Sequence, residues 1–156
     1  MKRDIEIERL SSLKDGDVQA IEKLAIDLTD KFNGRQLDSE LLFDIMKSPN
    51  HDLFLARNKL AMPVGMATMS LIMGPVAGRI AYLEDFVTSA EARGQGVGKL
   101  LWREIEEWSR EQGAARIEWT CKPSRVAAHG FYASQGAEIR ETDAFRLVLP
   151  PEDAEA

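Results

Sequence analysis

The chain has 156 residues, a formal net charge of −6, an ordinary hydrophobic share of 44% and a single cysteine. That length suits one domain with its own core, expected over residues 1–150 and followed by a short acidic tail, 151–156. The acidity argues against a nucleic-acid binder with a broad basic face, and no apolar run approaches the roughly 20 residues of a membrane span. Cys121 alone allows no internal disulfide, and with only His51 and His129 beside it no metal-ligand cluster is expected.

The opening MKRDIEIERLSS is charged and alternating, unlike a signal peptide, so a cytoplasmic protein is expected. Ile5, Ile7 and Arg9 alternate with Glu6, Glu8 and Leu10, which suits a half-buried first strand. Asp15-Gly16-Asp17 then starts a helix whose apolar face is Val18, Ile21, Leu24, Ala25 and Leu28. Asn33-Gly34 stops it, and Asp38 or Ser39 caps a short second helix carrying Leu41, Leu42, Ile45 and Met46. Asp52 to Leu60 is predicted as a strand, turning at Asn58-Lys59 into a third over Met62 to Met73, where Gly65 marks a bulge. Met62, Met66, Met69 and Met73 read as adaptable core filling. Gly74-Pro75 to Gly78 turns the chain again, and Arg79 to Thr88 is the fourth strand.

That strand runs into Arg93-Gly94-Gln95-Gly96-Val97-Gly98-Lys99, and the segment after Gly98 places Leu101, Ile105 and Trp108 on one helical stripe. The first turn of a helix has N–H groups without intrahelical partners and about half a positive charge, so glycines there let a phosphate approach bare backbone. A Walker A loop would need glycine where Arg93 stands and Ser or Thr where Leu100 stands; a dinucleotide fingerprint would need a third glycine where Lys99 stands. The pattern present is Arg-x-x-Gly-x-Gly. Beyond the long helix, Gln112-Gly113 closes it, Ala115 to Cys121 alternates as a fifth strand, and Pro123-Ser124 begins another helix, RVAAHGFYASQ, closed by Gly136. Two short runs, Glu138 to Arg140 and Ala144 to Leu149, are predicted as final strands.

Arg-x-x-Gly-x-Gly resembles the pyrophosphate loop of the GNAT superfamily of acetyl-CoA-dependent N-acetyltransferases. A second family signature, a helix reading Asn-x-x-Ala-x-x-Phe-Tyr and then Gly after three residues, is matched by Ala128, Phe131, Tyr132 and Gly136, with Arg125 where Asn is usual. Some aminoalkylphosphonate acetyltransferases look similar in this helix. The resemblance implies an α/β GNAT fold: a central mixed, mostly antiparallel sheet of about seven strands, about four helices, and a split between the fourth and fifth strands. It implies acetyl-CoA in that split, with pantetheine on the backbone of Phe86, Val87 and Thr88 and pyrophosphate on the amides of Gln95 through Lys99. Arg93, Gly94 and Arg125 complete the expected coenzyme contacts, and no metal is needed.

Acetyl transfer to an amine needs a free amine, a polarised thioester carbonyl and a proton for the departing thiolate. By resemblance Tyr132 supplies that proton. Glu84 is the candidate base, because Glu84-Asp85-Phe86 resembles the corresponding run of diamine and glucosamine-6-phosphate acetyltransferases. Strand alternation puts Glu84 and Asp85 on opposite faces, so Asp85 is expected to cap or to pair with a cation. Cys121 reads as a small buried hydrophobe, and His129 as a half-buried histidine bonded to a neighbour. The expected activity is acetyl transfer to a primary amine on a small molecule or peptide, with no nucleic-acid or membrane partner. Transfer of another short acyl group, or a catalytically idle acyl-CoA-binding sensor or protein-interaction module, are the alternatives. Proteins of this kind and size are often homodimers, and Phe145 to Leu149 is the expected pairing edge.

Overall fold

The computed structural model describes residues 4–154. The chain divides into two compact units, Met1–Trp119 and Thr120–Ala156.

The first unit is built on a five-stranded sheet in sequence order: β1 (Glu6–Arg9), β2 (His51–Arg57), β3 (Pro63–Gly74), β4 (Gly78–Thr88) and β5 (Ile117–Glu118). Neighbours pair antiparallel except β4 with β5, which are parallel. The helices of this unit are α1 (Asp17–Leu28), α2 (Ser39–Lys47) and α3 (Val97–Glu111). The parallel pair follows from connection length, since α3 supplies the crossover that a hairpin turn cannot.

The two faces of the sheet sort by alternation. Leu53 and Leu55 of β2, Met66 of β3 and Val87 of β4 form one cluster with Ile21 and Leu24 of α1 and Leu42 of α2. On the opposite face α3 buries Leu101, Ile105 and Trp108 completely, and the Trp108 indole donates to Asp52 Oδ2 (2.6 Å). Asp38 caps α2 as expected, its Oδ1 accepting from the N–H groups of Glu40 (3.0 Å) and Leu41 (3.1 Å). Met66 and Met69 fill the core, whereas Met62 and Met73, at the strand ends, are exposed.

Gly65 lies beside an irregularity in the β2–β3 register, where Ala56 faces Gly65 and Arg57 faces Pro63. Its more demanding role is contact with α3: a Cβ there would sit 2.9 Å from Val97 Cγ1 and 3.1 Å from Leu101 Cδ1. Glycine at this position lets the first turn of α3 lie close against β3.

A buried ion cluster ties the start of this unit together and has no simple signature in the sequence. Arg57 donates through Nη1 to Asp17 Oδ1 (2.7 Å), through Nη2 to Asp17 Oδ2 (2.8 Å) and through Nε to Glu8 Oε2 (2.6 Å). Nη1 also reaches the carbonyl of Ala61 (3.0 Å), in the turn between β2 and β3. The bidentate bonds from Arg57 hold the Asp17 carboxyl below the usual carboxylate range.

The second unit contains α4 (Val126–Ser134), and residues 138–149 carry no strand. The expected seven strands are therefore five among the described residues. Glu138 to Arg140 and Ala144 to Leu149 have the side-chain pattern of strands, but a strand needs a hydrogen-bonded neighbour and the described residues of this unit contain no strand to pair with. Phe145, Leu147 and Leu149 stay 95%, 86% and 82% exposed. No described helix is long and apolar enough to cross a membrane.

Candidate active site

β4 pairs with β5 only at Ala81–Ile117 and Tyr82–Glu118, whereas its ladder with β3 continues through Thr88. From Leu83 onward the β5-facing edge of β4 has no strand partner among the described residues. The expected split is thus a short parallel contact that ends while β4 runs on. Phe86, Val87 and Thr88 lie on the open stretch, where alternate backbone groups face away from β3 and can bond an extended ligand as an added strand would. Phe86 turns to the α3 face and meets the edge of Trp102 (ring centroids 6.0 Å), which in turn meets Trp119 (5.2 Å). Val87 is buried in the α1–α2 cluster, so any contact it makes with a ligand is through backbone.

Beyond β4 the chain turns through Ala90–Ala92 and reaches Gly94 and Gly96, both left-handed with φ of 82° and 78°. Gly96 is the N-cap of α3 and offers no side chain to satisfy the helix end. The bond from Leu100 N–H to the Gly96 carbonyl (3.1 Å) closes the first turn, leaving the N–H groups of Val97, Gly98 and Lys99 at the open end. No acidic residue occupies that first turn. Arg93, Gln95 and Lys99 are exposed around it, whereas Val97 is buried against Gly65 and contributes only its amide. Two left-handed glycines before a bare, positively polarised helix start suit an anionic group such as a pyrophosphate.

The candidate base sits in an unexpected local geometry. Thr68 of β3 faces Asp85, and the next residue, Met69, faces Leu83, so Glu84 is the extra residue of a β-bulge. The bulge overturns the expectation that alternation separates Glu84 from Asp85. Ser70 Oγ donates to Glu84 Oε1 (3.3 Å), and Thr68 stands directly opposite Asp85 in the β3–β4 register, its side chain close to the Asp85 carboxyl. Thr68 and Ser70 project from one face of β3, so both carboxylates reach the same row of hydroxyls. Val87 and Tyr82 flank them in register on the α1–α2 face. Glu84 is exposed, whereas Asp85 is half-buried, and burial pushes its carboxyl above the usual range against the opposing effect of Thr68. Asp85 neither caps a helix nor takes part in an ion pair among the described residues.

The remaining expected residues, Tyr132 and Arg125, belong to the second unit. Tyr132 is half-buried in α4 and its ring meets the edge of Phe131 (5.9 Å). Burial raises the Tyr132 phenol above its usual range and the nearby Cys121 adds to that rise, while the Arg125 charge opposes both. Arg125 is the exposed N-cap of α4 and makes no side-chain capping bond. The expected bonding of His129 to a neighbour is matched by its contact with the Lys122 carbonyl (3.0 Å). Cys121 is only partly buried, and its closeness to Tyr132 was not legible from their separation of eleven positions. Among the described residues no group of His, Cys, Asp and Glu is arranged to hold a metal.

Residues 18–137 match the model of the Acetyltransferase (GNAT) family, most of the chain. The chain belongs to that family. It is thus an N-acetyltransferase by family. Among curated relatives, aminoglycoside N(6')-acetyltransferase type 1 of Serratia marcescens is 27% identical over 111 residues, 68% of this chain and 76% of the relative. Glucosamine 6-phosphate N-acetyltransferase 1 of Oryza sativa subsp. japonica is 37% identical over 59 residues, 38% of this chain and 34% of the relative. Among solved structures, an aminoglycoside acetyltransferase from an uncultured soil metagenomic sample, in complex with trehalose, has a TM-score of 0.77 at 22% identity. The match covers 94% of this chain and 97% of that one, and it shows a shared GNAT fold.

Proposed function

We propose that this chain transfers an acetyl group from acetyl-CoA to a primary amine by direct attack within a ternary complex. The observation that carries the reading is the edge of β4 that runs on past its short parallel contact with β5 and leads into the glycine turn at the open end of α3. The first suits the amide-bearing pantetheine and the second the pyrophosphate, through backbone groups of Phe86 to Thr88 and Gln95 to Lys99. Arg93, Lys99 and Arg125 add positive charge for the phosphates.

In this reading Glu84 takes the proton of the acceptor ammonium, directly or through one water, and Tyr132 donates a proton to the leaving thiolate. A phenol pushed above its usual range remains protonated at neutral pH, as an acid must. The relatives named for aminoglycosides and glucosamine 6-phosphate support a small-molecule amine as acceptor. We also place the enzyme in the cytoplasm and read it as a homodimer paired through the exposed, alternating segment Phe145 to Leu149.

The test is an acetyl-transfer screen over polyamines, amino sugars, aminoglycosides, aminophosphonates, amino acids and peptide N-termini, repeated with Tyr132→Phe and Glu84→Gln. Tyr132→Phe should lower kcat by roughly 10²-fold with coenzyme affinity nearly intact. Glu84→Gln should lower kcat/KM most at neutral pH and recover as free amine accumulates at high pH. Coenzyme binding without turnover on any amine would make the protein an acyl-CoA sensor instead, and turnover with only a longer acyl donor would change the group transferred.

A further inference from the structure

We infer that His51 is a positioning residue for Glu84: its imidazole, held by Ser48, directs the Ser70 hydroxyl onto the Glu84 carboxylate. This role presupposes the proposed N-acetyltransferase reading, in which Glu84 takes the acceptor's proton. His51 opens β2, four residues after the end of α2. Alternation places it on the face of Leu53 and Leu55, toward α1 and α2, and the register sets it opposite Ser70. Leu71 N–H donates to the Asn50 carbonyl (2.8 Å), so His51 and Ser70 are the non-hydrogen-bonded pair just inside that bond. Side chains stand closest in pairs of this kind, whose Cα atoms are about 4.5 Å apart. Ser70 in turn donates to Glu84 Oε1 (3.3 Å). The order across the sheet is therefore His51, Ser70, Glu84.

The row has a direction. Ser48 Oγ, at the C-cap of α2, accepts from the Asn50 N–H (3.2 Å) and lies 2.7 Å from His51 Nδ1. No other acceptor among the described residues is bonded to that hydroxyl, so its one proton goes to Nδ1. A neutral imidazole carries a single proton, which then sits on Nε2. Ser70 is nearly inaccessible (6% exposed), its proton serves Glu84, and its lone pairs meet no donor among the described residues. The Nε2–H of His51 supplies that donor, directly or through one water, and every hydroxyl in the row then points toward Glu84. Without it the Ser70 hydroxyl is free to turn from the carboxylate to the imidazole. With it Oε1 is engaged by Ser70, and Oε2 is the oxygen presented to the amine.

The test measures transfer from acetyl-CoA to the amine that turns over fastest in the acceptor screen, at neutral pH and with the full chain. His51→Ala should lower kcat about ten-fold, the scale of one hydrogen bond to a charged group, with KM for the amine and affinity for acetyl-CoA near the wild-type values. His51→Gln, whose amide N–H stands near the place of Nε2, should recover part of that loss. In a Glu84→Gln background His51→Ala should cost nothing further, because the row no longer ends on a base. A histidine that merely supports the fold would lower activity by the same factor in both backgrounds, and that result would overturn the inference. Imidazole nitrogen NMR of the wild type at about pH 8, above the ordinary histidine value of about 6.5, should show His51 as the Nε2–H tautomer. A proton on Nδ1 would overturn the inference, as would full activity of His51→Ala. Full activity of Glu84→Gln, by contrast, would sink the assignment of the base itself, on which the role of His51 rests.

Discussion

Replacement of Gly96 by alanine tests whether the turn before α3 binds the coenzyme through its backbone, and Gly16 supplies a matched control. Both glycines are helix N-caps in the left-handed region, with φ of 78° and 86°, and a Cβ built on either meets nothing within 4 Å. Alanine at each should therefore carry the same intrinsic strain, about 1–2 kcal/mol, with no clash to add to it. For a chain of this size that corresponds to a loss of roughly 2–8 °C in Tm. The variants should differ in function. At Gly96 the added methyl, and any relaxation of φ that relieves the strain, perturbs the N–H groups of Val97 to Lys99 from which pyrophosphate would hang. Thermal unfolding should show similar losses for Gly96→Ala and Gly16→Ala, and titration calorimetry at 25 °C should show acetyl-CoA affinity reduced at least about ten-fold in Gly96→Ala alone. Unchanged affinity in Gly96→Ala, or an equal fall in Gly16→Ala, would refute the placement of the coenzyme on this turn.

Asp17→Asn removes one partner of a buried pair and leaves the Arg57 charge uncompensated, so a loss of about 3–5 kcal/mol is expected in denaturant melts. Because the folded Asp17 carboxyl lies below its unfolded value of 3.8, its contribution is fully present above that pH and is lost as pH falls further, through the folded value; acid titration of the wild type against the variant reads this difference. Gly65→Ala forces a methyl to within 2.9 Å of Val97 Cγ1, which should cost about 1–3 kcal/mol in thermal unfolding and displace the head of α3 enough to weaken coenzyme binding. For the proposed dimer, sedimentation should show a homodimer in the wild type and monomer when Phe145 and Leu147 are both changed to Lys; a wild type that remains monomeric at high micromolar concentration would exclude that assembly.

Much of the fold can be read locally. The α3 stripe of Leu101, Ile105 and Trp108, the Asp38 cap and the alternation of β2 to β4 are short-range patterns that any chain with these residues must respond to. The final strands were legible only in part, because Phe145, Leu147 and Leu149 supply a side-chain pattern but not the hydrogen-bonding neighbour that makes a strand.

At the candidate site the sequence by itself determined the residue types: glycines at 94 and 96 that accept positive φ, a helix start with no acidic residue, and adjacent carboxyls at 84 and 85. Those properties depend on covalent structure and nearest neighbours. Only the tertiary structure decided where the carboxyls point. One extra residue in β4 against β3 carries Glu84 to the side Asp85 already faces, and register between two strands is settled by the packing of whole faces on α1, α2 and α3 rather than by any residue in the bulge. The same holds for the Arg57 cluster, which joins Glu8, Asp17 and Arg57 from three elements. Burial turns three ordinary charged residues into a single interlocked unit, and burial exists only once β1, α1 and β2 have come together.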